Sequence, residues 1–361
     1  MEWLEQYRDA ERVHKLASSM KRMDLPSLRL MEVCGTHTMA IARHAIRRLM
    51  PQGVTLTSGP GCPVCVTAAG DLDLFIAASR LPDVIITTFG DLIRVPGSSS
   101  SLQEEMSRGR EVQVVYSPLD ALETARRHPG REVIFLGVGF ETTAPTVAAA
   151  VLMAAEQQIG NFSIISAHKV MPPALTALAA APDLRIDGLI CPGHVSVIIG
   201  ADAYRPLADR FGLPCVVAGF EPVDILEAIF LLARQAQQGE ARVEIAYSRA
   251  VGLQGNHRAL AIMEQVFEPA DTEWRGLGII PASGLAVRPE LAHFDACRRF
   301  GLTAKPASPP KGCRCGEVLK GALDPSGCKL FGTACHPGHP VGPCMVSSEG
   351  ACAAFYRYER D

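Results

Sequence analysis

The chain has 361 residues, 48% hydrophobic and 20% charged, a size and balance that bury a real core and exclude a disordered chain or a disulfide-propped miniprotein. Its 35 basic and 38 acidic residues leave a net charge of −3, so there is no basic footprint for a nucleic acid. Apolar runs such as Ala148 to Ala155 fall short of the ~18–20 residues a membrane span needs.

Met1-Glu2-Trp3-Leu4-Glu5 has neither the basic nor the apolar region of a signal peptide. A cytoplasmic protein is expected, with its thiols reduced. Residues 1–29 read as a polar N-terminal helix, expected to pack on the C-terminal region. Short apolar runs then alternate with helix-like stretches. The predicted strands are Leu30–Val33, Val54–Thr57, Val84–Thr88, Val112–Tyr116, Val133–Leu136, Phe162–Ser166, Gly188–Ile190 and Pro214–Ala218. They recur at the spacing of βα units with parallel strands.

The strands read as two sets of four. Pro118-Leu119-Asp120-Ala121-Leu122-Glu123 returns as Pro222-Val223-Asp224-Ile225-Leu226-Glu227, 104 residues on. Gly90 has a counterpart in Gly193 at an offset of 103, and Thr36-His37-Thr38 in Glu141-Thr142-Thr143 at 105. A near-constant offset predicts a duplicated α/β fold, with domains at 30–130 and 131–250. After about residue 250 the chain turns loop-rich, as in Trp274-Arg275-Gly276-Leu277-Gly278, and a linker-like run, Lys305 to Pro310, precedes a cysteine-rich end. Residues 251–361 read as a third, C-terminal domain.

The 12 cysteines carry the chemistry, because many thiols in a reducing compartment point to metal or redox roles. Cys34 ends the first strand ahead of a helix start, where partial positive charge favours a thiolate. His37 is three residues on and is a candidate to share its ligand or take its proton. Cys62-Pro63-Val64-Cys65 has C-x-x-C spacing, suited to a disulfide or to half a metal site. Ligand sites in open α/β sheets sit at the carboxyl ends of strands, so Cys34, Cys62 and Cys65 are expected at one cleft. Strand-end loops add Asp91, Glu141, His168 and His194 as possible cleft residues. Gly137-Val138-Gly139 starts like a dinucleotide fingerprint, but Thr142 stands where its third glycine belongs.

Six cysteines, Cys313, Cys315, Cys328, Cys335, Cys344 and Cys352, crowd the end of the chain. An iron–sulfur cluster takes four such thiols. Zinc is the alternative, but its usual tight C-x₂₋₄-C pairs are missing here.

Six segments together resemble the HypD family of hydrogenase maturation factors: Cys34-Gly35-Thr36-His37-Thr38, Gly59 to Cys65, Gly139 to Pro145, Ser166-Ala167-His168-Lys169, Cys191-Pro192-Gly193-His194, and Gly342 to Gly350. The resemblance implies a scaffold that builds the Fe(CN)₂CO group of [NiFe]-hydrogenases. The resemblance further implies an assembly factor with redox activity rather than a conventional turnover enzyme. Iron(II), carrying cyanide and carbonyl ligands, is implied to sit between Cys34 and a cysteine of the small partner HypC, with HypE and HypF supplying cyanide and the hydrogenase large subunit served indirectly. One [4Fe-4S] cluster is implied at Cys313, Cys328, Cys335 and Cys352, with Cys315 and Cys344 as a neighbouring redox pair and Cys62 and Cys65 as the pair acting at the iron. The rival reading is a stand-alone iron–sulfur disulfide reductase similar to ferredoxin–thioredoxin reductase. A zinc scaffold would be colourless.

Overall fold

The computed structural model describes residues 5–182 and 185–360, so the first four residues of the expected N-terminal helix lie outside it. Eleven strands are seen among the described residues: β1 (Leu28–Glu32), β2 (Val54–Ser58), β3 (Val84–Thr88), β4 (Val112–Val114), β5 (Glu132–Gly137), β6 (Phe162–Ser166), β7 (Gly188–Pro192), β8 (Cys215–Ala218), β9 (Val243–Ile245), β10 (Phe267–Trp274) and β11 (Gly278–Val287). The apolar runs of β3 and β8 are buried along their whole length, as parallel strands covered on both faces must be.

The pairing differs from two tandem domains. One parallel sheet has the order β2-β1-β7-β8-β9, the other β4-β3-β5-β6. The chain leaves the first sheet after β2, builds the whole second sheet from residues 84 to 166, and returns at β7. The expected boundary at 130/131 therefore falls inside a sheet, between β4 and β5. The repeat is nonetheless visible. β1 and β5 start at residues 28 and 132, and β3 and β7 at 84 and 188. Replacing each strand of the order β2-β1-β7-β8 by its counterpart gives β6-β5-β3-β4, which is the second sheet. The two copies have exchanged halves. Sequence spacing reports the βα units but not which strands become neighbours, because pairing is decided by packing between units.

Two further expectations are corrected. The described N-terminal helix, Ala10–Lys21, packs against the helix Pro222–Gln238 rather than on the C-terminal region. Its Ala17 and Met20 are buried, and Met20 joins the core formed with Ile225, Ile229 and Leu232. The C-terminal helix Ala351–Tyr358 instead packs on the helix Gly35–Arg43 that follows β1. The loop-rich stretch after 250 contains an antiparallel hairpin, β10–β11. Proline and acidic residues mask its alternation in the sequence. No helix among the described residues is long and apolar enough to cross a membrane.

Candidate functional site

Cys34 is the N-cap of the helix Gly35–Arg43 and is 8% exposed. Its backbone N–H donates to Glu32 Oε2 at 3.1 Å, and Thr38 Oγ1 donates to Glu32 Oε1 at 2.5 Å. The buried Glu32 carboxyl thus braces the turn that presents the thiol. Backbone N–H groups of Thr36 and His37 favour the thiolate, as a helix start should. Burial outweighs them, helped by the Glu349 charge, and pushes the thiol up to about 12. A metal taking this sulfur must therefore displace its proton.

The C-x-x-C loop lies directly on this turn. Gly35 N–H donates to Gly61 O at 2.8 Å, and Gly59 N–H to Glu32 O at 2.8 Å. A Cβ on Gly61 would overlap the backbone of Val33 and Cys34, so this position has no room for a side chain. Pro63 opens the short helix Pro63–Val66, and Cys62 caps it by accepting from Cys65 N at 3.2 Å. Cys62 and Cys65 form a disulfide with Cα atoms 5.2 Å apart, buried behind the cleft.

A cleft of about 360 Å³ is lined by Cys34, Gly61, Pro63, Phe140, Thr142, Thr143, His194 and Glu349, among others. It joins loops after β1, β2, β5 and β7 to the C-terminal segment. Glu349 was not singled out from the sequence, although it lies in the quoted Gly342–Gly350 segment. Its Oε1 accepts from Thr36 Oγ1 at 2.6 Å, and a Cβ on Gly35 would lie 2.6 Å from Glu349 Cβ. Burial raises the pKa of this carboxyl.

Of the proposed cleft residues, His194 lines the cleft and stacks on Phe220, ring centroids 4.0 Å apart. Asp91 is exposed beside it, within 3.5 Å of Ser347 Oγ. The other side chains turn elsewhere. His37 Nε2–H donates to Gly219 O at 2.8 Å, and burial lowers its pKa to about 4. Its backbone serves Cys34 while its imidazole does not. His168 lines a separate hollow with Asp271, Asp295 and Cys297. Ser166 Oγ donates to Leu285 O at 2.6 Å and so accepts from His168 Nδ1 at 3.0 Å. Residue His168 does follow a strand, but β6 runs at the edge of the second sheet, facing the hairpin. Glu141 is buried away from the cleft lining: its Oε1 accepts from Met171 N at 2.8 Å, and Oε2 has no partner among the described residues.

Burial raises the Glu141 carboxyl from 4.5 to about 7. A raised carboxyl holds its proton better in the folded state. Its contribution to stability is complete below pH 4.5 and is lost as pH rises through 7. Glu141→Gln is expected to flatten this fall, which amounts to about 3 kcal/mol at most. Urea unfolding of both proteins from pH 4.5 to 8 checks it; parallel curves would contradict it.

The C-terminal cysteines gather at a second place. Cys313, Cys315, Cys328, Cys335 and Cys352 line one small hollow, about 10 Å³, together with Leu330, Phe331 and Met345. Cys344 lies beside it, in contact with Cys315 and Cys352. These contacts raise the Cys344 thiol and lower Cys352 to about 5. All six are unbridged. Among the described residues, no three His, Cys, Asp or Glu side chains are drawn up as a ready metal cluster. Gly342 leaves room for the sulfurs: a Cβ there would lie 2.7 Å from Cys313 Sγ and 2.8 Å from Cys315 Sγ. The helix Pro343–Val346, carrying Cys344, packs against the helix Pro63–Val66.

Fold and site together define an α/β protein built around thiols from distant stretches of the chain. A family model described as HypD, "Hydrogenase formation hypA family", matches residues 10–359. The hydrogenase maturation factor HypD of Cupriavidus necator is 44% identical over 370 residues, covering 100% of this chain and 98% of that protein. HypD of Azotobacter vinelandii is 45% identical over 369 residues, covering 100% and 97%, and HypD of Escherichia coli 42% over 368 residues, covering 100% and 99%. The chain belongs to the HypD family of hydrogenase maturation factors.

Proposed function

We propose that this chain is the assembly scaffold on which the Fe(CN)₂CO group of [NiFe]-hydrogenases is built, with iron as its cargo. The observation that carries the reading is the shared cleft: Cys34 and Glu349 face the same space as His194, with the C-x-x-C loop pressed on the Cys34 turn. Cys34 offers the thiolate that iron favours, completed by a cysteine of HypC. Phe140, Val195 and Ile198 line the same cleft, an apolar wall that limits water around a reactive cyanide delivered through HypE and HypF.

The Cys62–Cys65 disulfide serves as the electron acceptor of the site. Exchange with the Cys315 and Cys344 thiols transfers two electrons: Cys62 and Cys65 become a dithiol, and Cys315–Cys344 becomes the disulfide. The packing of the Cys344 helix on the Cys65 helix supports this route.

The residues also fit a [4Fe-4S] cluster. Four thiols, Cys313, Cys328, Cys335 and Cys352, share one hollow, and a glycine stands where a Cβ would strike sulfur. When bound, such a cluster supplies single electrons at low potential. Cys315 and Cys344 remain beside it as the thiol pair.

Anaerobic purification of the full chain tests this reading. A brown protein with absorption near about 400 nm and about four iron and four sulfide per chain is expected, falling sharply in Cys328→Ser. A colourless protein with bound zinc would contradict it. A stand-alone disulfide reductase would turn over a protein disulfide without iron outside the cluster.

A further inference from the structure

The hairpin β10–β11 turns at Trp274-Arg275-Gly276, between the cleft and the sulfur hollow. On one side Trp274 stacks on Phe140 of the cleft wall, ring centroids 5.9 Å apart. On the other side lies Arg275, only 5% exposed. Its backbone N–H donates to Val66 O at 2.8 Å and its Nε–H to Thr67 O at 3.0 Å. It therefore grips the end of the helix that carries Cys65. Gly276, at φ +81°, lets this turn lie against Gly316, next to Cys315; a Cβ on Gly276 would overlap Gly316 Cα.

Among the described residues, no carboxylate forms an ion pair with Arg275, unlike the other buried cation, Lys169, which meets Asp71 at 3.2 Å. Arg275 instead lines a hollow of about 240 Å³ whose wall includes Cys313 and Cys315. Glu273 and Glu317 also line this hollow, Glu317 paired with Arg314. A buried cation without a paired counter-charge is costly, and the sulfurs sharing its hollow are groups that become anionic when they hold metal.

We propose that Arg275 is a positioning residue of the redox centre: its charge balances the C-terminal thiolate sulfurs and eases reduction of the group they hold, while its bonds to Val66 and Thr67 keep the Cys62–Cys65 helix beside them. The inference rests on the reading that these thiols hold a cluster. Added electrons make such a centre more negative, so a nearby fixed cation stabilises the reduced form.

The test uses full-length protein purified anaerobically, with cluster reduction followed by electron paramagnetic resonance against poised mediators. At the potential where the wild type is half reduced, Arg275→Gln is expected to show a reduced-to-oxidised ratio at least tenfold lower, a shift of about 59 mV for a one-electron couple. Arg275→Lys, which keeps the charge, is expected to stay within about twofold of the wild type. An Arg275→Gln ratio equal to wild type would overturn the inference. So would an Arg275→Lys shift as large as that of Arg275→Gln. Should Arg275→Gln lose its iron, retention by Arg275→Lys supports the charge requirement, and loss by both refutes it. A wild-type protein without iron and sulfide removes the cluster reading itself, and that result is seen before any variant is made.

Discussion

Replacing Gly61 with alanine is expected to destabilise the protein by about 3 kcal/mol, the upper part of the usual range for overpacking, and to part the C-x-x-C loop from Cys34. The added Cβ would overlap backbone atoms of Val33 and Cys34, not the tip of a flexible side chain. Backbone cannot rotate out of the way, so one of the two segments has to move. Movement breaks the Gly35 N–H to Gly61 O bond and the Gly59 N–H to Glu32 O bond, both 2.8 Å. Each lost buried hydrogen bond adds a further cost. The same glycine has no positive φ, so the effect is one of space rather than of backbone conformation. Denaturant unfolding measures the loss, with Gly130→Ala as a control for glycine replacement in open space, where no atom lies within 4 Å and φ is not positive. A Gly61→Ala protein as stable as the wild type would mean that the two loops are not tightly apposed.

Much of the scaffold was legible because buried parallel strands announce themselves as apolar runs ending in Gly, Pro, Ser or Thr. The eight expected strands are all present, and the repeat offset is real. Strand partnership was not legible, since Leu30 of β1 meets Gly188 of β7 across a long stretch of chain, and local sequence holds no record of that contact. The short edge strand β9, three half-buried residues, had too little pattern to find. For the site, spacing correctly marked Cys34 and the C-x-x-C loop as strand-end neighbours. It did not say which way a side chain turns: His37 and His168 both follow strands, yet one ring is held by the Gly219 carbonyl and the other by Ser166. Glu349 and Arg275 were missed because single charged residues carry no spacing signal. They matter through what the fold brings against them.

The second large effect is at Cys34. Among the described residues its sulfur is the one thiol lining the cleft, and Glu349, which is near enough to raise its pKa, lacks the soft donor that iron in a strong ligand field prefers. Cys34→Ala removes that donor while leaving a small side chain at a buried N-cap that makes no side-chain capping bond. The fold is therefore expected to persist and the cargo to be lost. Infrared spectroscopy of the proposed complex with HypC, isolated anaerobically from cells making either protein, is the direct test. The wild-type complex is expected to show cyanide and carbonyl stretches and the Cys34→Ala complex none; bands of undiminished strength in the variant would contradict the account.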